Sequence, residues 1–246
     1  MGPTWLARWW SVFGGGDRTH AFVVVRDGER LVGLAPLLVR EVSRPFGKVR
    51  RVELLGSGED EADEIGSDFI GVVAERGREA AVADEVVGCL TSPGMADWDE
   101  CELVAMSGDS AMPVLLAEAL RRRGIAVEPE LAGAAPYVAL PSSFEAYLDS
   151  LPSSHRALVR KSLRDFERAG GEARLERADS REGLARGCAI LRELHERRWT
   201  TAGRVSLFDS AKFSAFHDAV IPELFDQGQL ELVWLSLGGR PLAVAY

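Results

Sequence analysis

The stretches LVWLSLGGRPLAVAY, residues 232–246, and VVVRDGERLVGLAPLL, residues 23–38, are built alike. Each runs from branched apolar residues into a glycine-containing turn, an arginine, and then small and branched apolar residues in alternation. With Gly28-Glu29-Arg30-Leu31-Val32-Gly33-Leu34-Ala35 set against Gly238-Gly239-Arg240-Pro241-Leu242-Ala243-Val244-Ala245, glycine, arginine, an apolar pair, a small residue and alanine recur in step. Alternation around such a turn is the signature of a β-hairpin. One hairpin occurring twice predicts two copies of one structural plan.

Outward from the first copy, HAFVVVR, LVGLAPLLVR and VRRVELLG predict a three-stranded antiparallel meander. FIGVVA and CELVAM read as further strands, and residues 78–90 and 110–123 as helices between and after them. IAVEPE and PYVAL resume strand character. A meander followed by strand and helix alternation is a mixed α/β layer with helices on its faces. Pro141-Ser142-Ser143 breaks the pattern, so the domains are placed at 1–140 and 141–246. The second begins with a helix from Phe144 to Ser150 and another from Pro152 to Gly170, with Leu158, Leu163 and Phe166 as its buried stripe. EARLERA reads as a strand, two helices follow, and the second hairpin comes last. In the first half that hairpin leads into another strand, so the second domain is expected to be incomplete at Tyr246.

Composition narrows the function classes. A net charge of -9 over 246 residues argues against binding nucleic acid through bulk electrostatics. Cys89, Cys101 and Cys188 are widely spaced and odd in number, which fits free thiols and no metal site. No apolar run reaches the length of a membrane span, so a cytoplasmic protein is expected. Trp5, Leu6, Trp9, Trp10 and Phe13 recur at helical spacing before Gly14, an aromatic stripe suited to a core. Glu59, Asp60, Glu61, Asp63, Glu64 and Asp68 form an acidic run that reads as a solvated loop.

The ordered set LVGLAPLL, SDFI, SLPSSHRALVRKSLRDFERAGG, LRELHERRW and FHDAVIPELFDQGQLELVWLSLGGRPLAVAY resembles the GNAT-like acetyltransferase family that includes the cellulose-biosynthesis protein CelD. The resemblance implies tandem GNAT-like domains, distantly similar to Fem aminoacyltransferases, with acetyl-CoA as donor. The acceptor it implies is a small molecule or a saccharide or cell-envelope intermediate, in polysaccharide synthesis. A non-catalytic partner in a polysaccharide machine is the alternative from another class, and Fem-like aminoacyl transfer is a third. The pyrophosphate loop of a GNAT domain follows its fourth strand, which here is expected beyond Tyr246.

Acyl transfer needs a base and a group to hold the acceptor. His195, His217 and Asp68 are the candidates for the chemistry, each with a structural role as its rival. Arg156, Arg160 and Arg164 follow one another at helical spacing as a basic ridge, suited either to an anionic ligand or to solvated ion pairs. Arg198 and Trp199 offer a cation and a stacking surface for a sugar ring. The strand RPLAVAY, with an unpaired edge, makes a homodimer conceivable by strand pairing. Residues 1–246 are therefore expected to bind acetyl-CoA weakly or not at all in calorimetry; micromolar affinity would overturn the placement of the donor loop.

Overall fold

The structure is a computed structural model that describes residues 2–95 and 97–246. By its contacts the chain divides into two compact units, Met1–Gly133 with Ser210–Val220, and Ala134–Asp209 with Ile221–Tyr246.

In the first unit, helix α1 (Pro3–Phe13) starts with proline in its first turn, where a missing N–H costs nothing, and stops at Gly14. Strands β1 (Thr19–Asp27), β2 (Arg30–Arg44) and β3 (Gly47–Leu54) form the expected antiparallel meander. A two-residue strand, β4 (Val73–Ala74), pairs with β2. Helix α2 (Glu79–Leu90) crosses over to β5 (Glu100–Glu102), which lies parallel to β3, and α3 (Met112–Arg122) follows. Ala35, Leu37, Val52 and Leu54 of the sheet meet Val82, Val86 and Val87 of α2 and Leu116 and Ala119 of α3 in one core. The approach of β2 to α2 is so close that a Cβ on Gly33 would stand 2.5 Å from Val82 Cγ1.

The second unit holds α4 (Phe144–Ser150), α5 (Ser153–Arg168), β6 (Ala173–Arg177) and α6 (Arg181–Thr201), then β7 (Val233–Leu237) and β8 (Arg240–Ala245). Its sheet runs β6-β7-β8, all antiparallel. Leu184, Ile190 and Leu191 of α6 are buried with Leu232 and Trp234. Gly187 lets the helix down onto the sheet, since a Cβ there would lie 2.6 Å from Leu232 Cδ2. Helix α7 (Ala211–Asp226) carries Pro222 inside it and changes units after Val220.

The two hairpins match in finer detail than alternation shows. Arg26 pairs with Leu31 and Asp27 with Arg30 after a bulge at Val25/Arg26; Ser236 pairs with Pro241 and Leu237 with Arg240 after a bulge at Leu235/Ser236. Val32 and Leu242 are thus skipped at the same step from the turn. Gly28 and Gly238 both take positive φ, 61° and 56°, where a side chain would be strained.

Four expectations are corrected. Residues 125–140 form no strand, and Leu131, Tyr137 and Leu140 are exposed; alternation supplied the pattern, but no sheet edge pairs with it. FIGVVA and CELVAM shrink to Val73–Ala74 and Glu100–Glu102. The stripe of α5 is not buried: Leu158, Leu163 and Phe166 are 63%, 42% and 39% exposed, because amphipathic spacing sets which face is apolar and says nothing about what covers it. The acidic run is fastened and not simply solvated. Trp9 Nε1 donates to Glu59, Trp5 Nε1 donates to Ser67 Oγ at 2.9 Å, and Asp63 accepts from Ser210 Oγ at 2.6 Å and pairs with Lys212 at 3.4 Å. Burial, partly offset by the Trp9 bond, raises the Glu59 carboxyl above its ordinary value. The aromatic stripe of α1 packs inward as expected, with Trp9 and Phe13 stacked 5.3 Å apart and buried.

Val82 is β-branched and stiff, so it has no rotamer with which to yield. Gly33→Ala is therefore expected to lower the free energy of unfolding by about 1–3 kcal/mol. Adding Val82→Ala should shrink the penalty of the Gly33 substitution. A Gly33→Ala chain that unfolds at the wild-type denaturant midpoint would contradict this packing.

Candidate functional site

Ser180 caps α6 by accepting from Gly183 N–H at 3.1 Å, which satisfies one of the unpaired donors of the first turn. From that cap the helix runs 21 residues and brings His195 and Trp199, one turn apart, beside the segment holding Ser206 and Phe208. Trp199 Nε1 lies 2.8 Å from His195 Nε2, and His195 Nδ1 lies 2.9 Å from Ser206 Oγ. An indole nitrogen only donates, so Nε2 must accept and the proton of the neutral ring sits on Nδ1, donated to Ser206. Ser206 is buried and its oxygen also accepts from Phe208 N–H at 3.2 Å. Burial first, then the Arg198 charge, holds the imidazole below its ordinary pKa, against a small opposing pull from Asp209. Both ring nitrogens are thus occupied, and in this arrangement His195 positions the 204–209 segment and has no lone pair left for an acceptor's proton.

Arg204 stands over the Trp199 ring, 5.5 Å from its centroid, and Arg192 over Phe208 at 4.7 Å. One face of the indole is therefore taken by a guanidinium of this chain.

The basic ridge divides. Arg156 Nη2 donates to the carbonyls of Asp149 and Leu151, each at 3.1 Å, and pairs with Asp149; it closes the last turn of α4. Arg160 reaches Glu145 at 4.0 Å, and Arg164 is exposed. His195, Arg198 and Trp199 form one cluster, and no hydrogen bond or ion pair among the described residues ties the α5 arginines to it. His217 and Asp68 belong to the first unit. His217 is 2% exposed, with Nδ1 2.9 Å from the Phe213 carbonyl and its ring centroid 4.1 Å from that of Phe213. Asp68 is exposed on the loop after β3. The three candidate catalytic groups do not converge within either unit.

Three groups carry more than their spacing announced. Ser206 is one. Glu176 on β6 accepts from Trp234 Nε1 at 3.0 Å and Ser236 Oγ at 2.9 Å and pairs with Arg186 at 2.9 Å; partial burial opposes its charge, but those two bonds and the arginine hold its carboxyl below the ordinary range. Glu59 is the third. No sequence signal separates them from surface residues, because their partners arrive from elements about 11 to 60 positions away. Burial pushes the Cys101 thiol up to about 12, which removes it as a nucleophile near neutrality. Among the described residues no group of His, Cys, Asp or Glu is placed to hold a metal ion, and no helix is long and apolar enough to cross a membrane.

A pyrophosphate favours a helix N-terminus free of acid. In the second unit the strand-to-helix step from β6 to α6 carries Asp179 and Glu182, and in the first the loop after β3 holds the acidic run. Neither fits the pyrophosphate of acetyl-CoA.

Because the folded His195 pKa lies below that of the free side chain, about 6.5, its contribution to stability is full above that value and is lost as pH falls. His195→Gln keeps an acceptor and a donor but does not titrate. The melting temperature of the wild type is expected to fall more steeply than that of the variant between about pH 7 and pH 5; equal slopes would contradict the neutral imidazole clamp.

No curated protein matches the sequence. Residues 153–246 match the family model described as the acetyltransferase (GNAT) domain. The fold is similar to the crystal structure of FemX, with a TM-score of 0.50 and 16% identity over 96% of this chain and 52% of that one. The chain thus spans about half the length of FemX, and at that identity the likeness is one of fold. The second unit's α5, β6, α6, β7 and β8 all lie inside the stretch that matches the GNAT acetyltransferase domain.

Proposed function

We propose that this chain serves an acyltransferase of the GNAT type, which moves an acyl group, acetyl by preference, from a CoA thioester to an amine or hydroxyl of a saccharide or cell-envelope intermediate in polysaccharide synthesis. The observation that carries the reading is the GNAT-domain match over residues 153–246. The tandem arrangement belongs to the same proposal, and the two hairpins with equal register and bulge support it. Residues 1–140 are then a degenerate copy, and residues 141–246 belong to a second. Arg160, Arg164 and Arg198 are the positions assigned to an anionic group of donor or acceptor, as charged donors suited to phosphate or carboxylate. Arg156 and Trp199 serve the same reading from behind, by holding α4 to α5 and by packing beneath Arg204.

A second reading, aminoacyl transfer of the Fem kind, is favoured by one observation beyond the FemX fold: the acidic groups at the β6–α6 step and in the loop after β3 suit a CoA pyrophosphate poorly. The donor separates the two. Labelled acetyl-CoA and labelled aminoacyl donors, each offered in large excess with glucosamine oligosaccharides, are expected to label the sugar from acetyl-CoA, and slowly, because the chain is expected to hold that donor weakly. Arg160→Glu and Arg164→Glu should raise KM about tenfold, a loss of roughly 1.4 kcal/mol of binding, with kcat and the melting temperature unchanged. Label arriving only from aminoacyl donors would replace the first reading with the second, and an unchanged KM would return the ridge to solvent.

A further inference from the structure

Phe69 and Ala105 are the two non-glycine residues with positive φ among the described residues, at 55° and 57°. For a bulky aromatic residue that backbone costs free energy that glycine would not. Nothing buried repays it, since Phe69 is 61% exposed. Its neighbours hold it there. Ile65, Ser67 and Ile70 are buried, Ser67 Oγ accepts from Trp5 Nε1, and Gly56 at the loop's start lies against Leu6, Ser67 and Ile70. The loop is fixed on both sides of a tip, Asp68-Phe69, that projects into solvent.

The place of the two residues in the fold is the second observation. β3 and β5 are the parallel pair among the described strands, and the loops carrying Phe69 and Ala105 leave the carboxyl ends of those two strands. The loops touch, since a Cβ on Gly71 would lie 3.5 Å from Met106 Cε. In open α/β sheets the crevice outside the carboxyl ends of parallel strands is where ligands bind, and strained residues gather where a surrounding structure holds them for contact.

Resting on the acyl-acceptor reading above, we infer that the Asp68-Phe69 tip is a contact site for the acceptor and that the acceptor is an amino sugar. The ring of Phe69 offers a flat apolar face to the C–H side of a pyranose, and Asp68 beside it accepts from a hydroxyl or ammonium. Two cations that reach the loop are taken up by groups other than its tip, Arg18 by the Gly58 carbonyl and Lys212 by Asp63. The rim therefore stays negative through Glu61, Glu64 and Asp68, which repels nucleotides and phosphates and attracts an amine.

The test titrates the whole chain with the β1-4 trisaccharide of glucosamine by calorimetry, beside its N-acetylated form and beside Phe69→Gly and Asp68→Asn. Saturable binding is expected, weaker for the N-acetylated sugar and weakened at least tenfold in both variants. The melting temperature of Phe69→Gly should be unchanged or raised, since glycine takes the positive φ without strain. No saturable binding by the wild type, equal binding by Phe69→Gly, or a lowered melting temperature in that variant would each overturn the site. Trisaccharide binding that persists where no acyl transfer occurs would count against the acyltransferase reading and leave this site in place. Intact acyl transfer with unchanged KM in Phe69→Gly would remove the site and leave the reading.

Discussion

Strand β2 is bonded along both edges, to β1 on one side and to β3 and β4 on the other, and the first unit depends on its register. Side chains alternate along a strand, so a slip by one residue would take Ala35 and Leu37 out of the core they share with Val82 and Val86. The fit of bare Gly33 against Val82 pins that register from the helix layer. With β2 fixed, β3 has one place to lie, α2 crosses over it, and β5 falls parallel to β3. The loops that leave β3 and β5 then open at one end of the sheet.

The second unit uses the same device at lower cost in length. Gly187 admits α6 to the sheet, where Leu232 and Trp234 lie against its backbone, and Ile190 and Leu191 are buried one turn further along the helix. Close approach sets the helix axis, and the helix axis sets where its last turns stand. His195 and Trp199 then find Ser206, and a chain of three hydrogen bonds, from indole to imidazole to hydroxyl and from the Phe208 amide to that hydroxyl, holds one tautomer. Residues that look like acid-base machinery in isolation here share their polar atoms with one another. Of the five expected binding residues, Arg156 caps a helix and Trp199 anchors the histidine, while Arg160, Arg164 and Arg198 keep their charges at the surface.

The tip at Asp68-Phe69 shows a different balance. The indoles of Trp5 and Trp9 in α1 bind the loop, as do Ser210 and Lys212, so an acidic segment that would repel itself in water is held in one shape. Each carboxylate fastened this way exchanges hydration for a directed partner, and the raised Glu59 carboxyl records the burial.

Much of the fold was legible in the amino-acid order. The period of the apolar residues located the meander, both hairpins and the helices, and glycine marked the turns, because these features depend on neighbours within a few residues. The repeat was legible for the same reason, and the equal bulges were then a consequence of equal local chemistry. The strands foreseen at IAVEPE and PYVAL, and the burial foreseen for Leu158, Leu163 and Phe166, were not decided locally. A strand needs an edge to pair with and an apolar face needs a cover, and both come from distant segments. The site divides along the same line. Sequence by itself determined which residues can carry charge, protons or stacking; tertiary structure alone decided which of them are already spent, because a hydrogen bond between His195 and Ser206 or between Trp9 and Glu59 exists only once distant parts of the chain have been packed together.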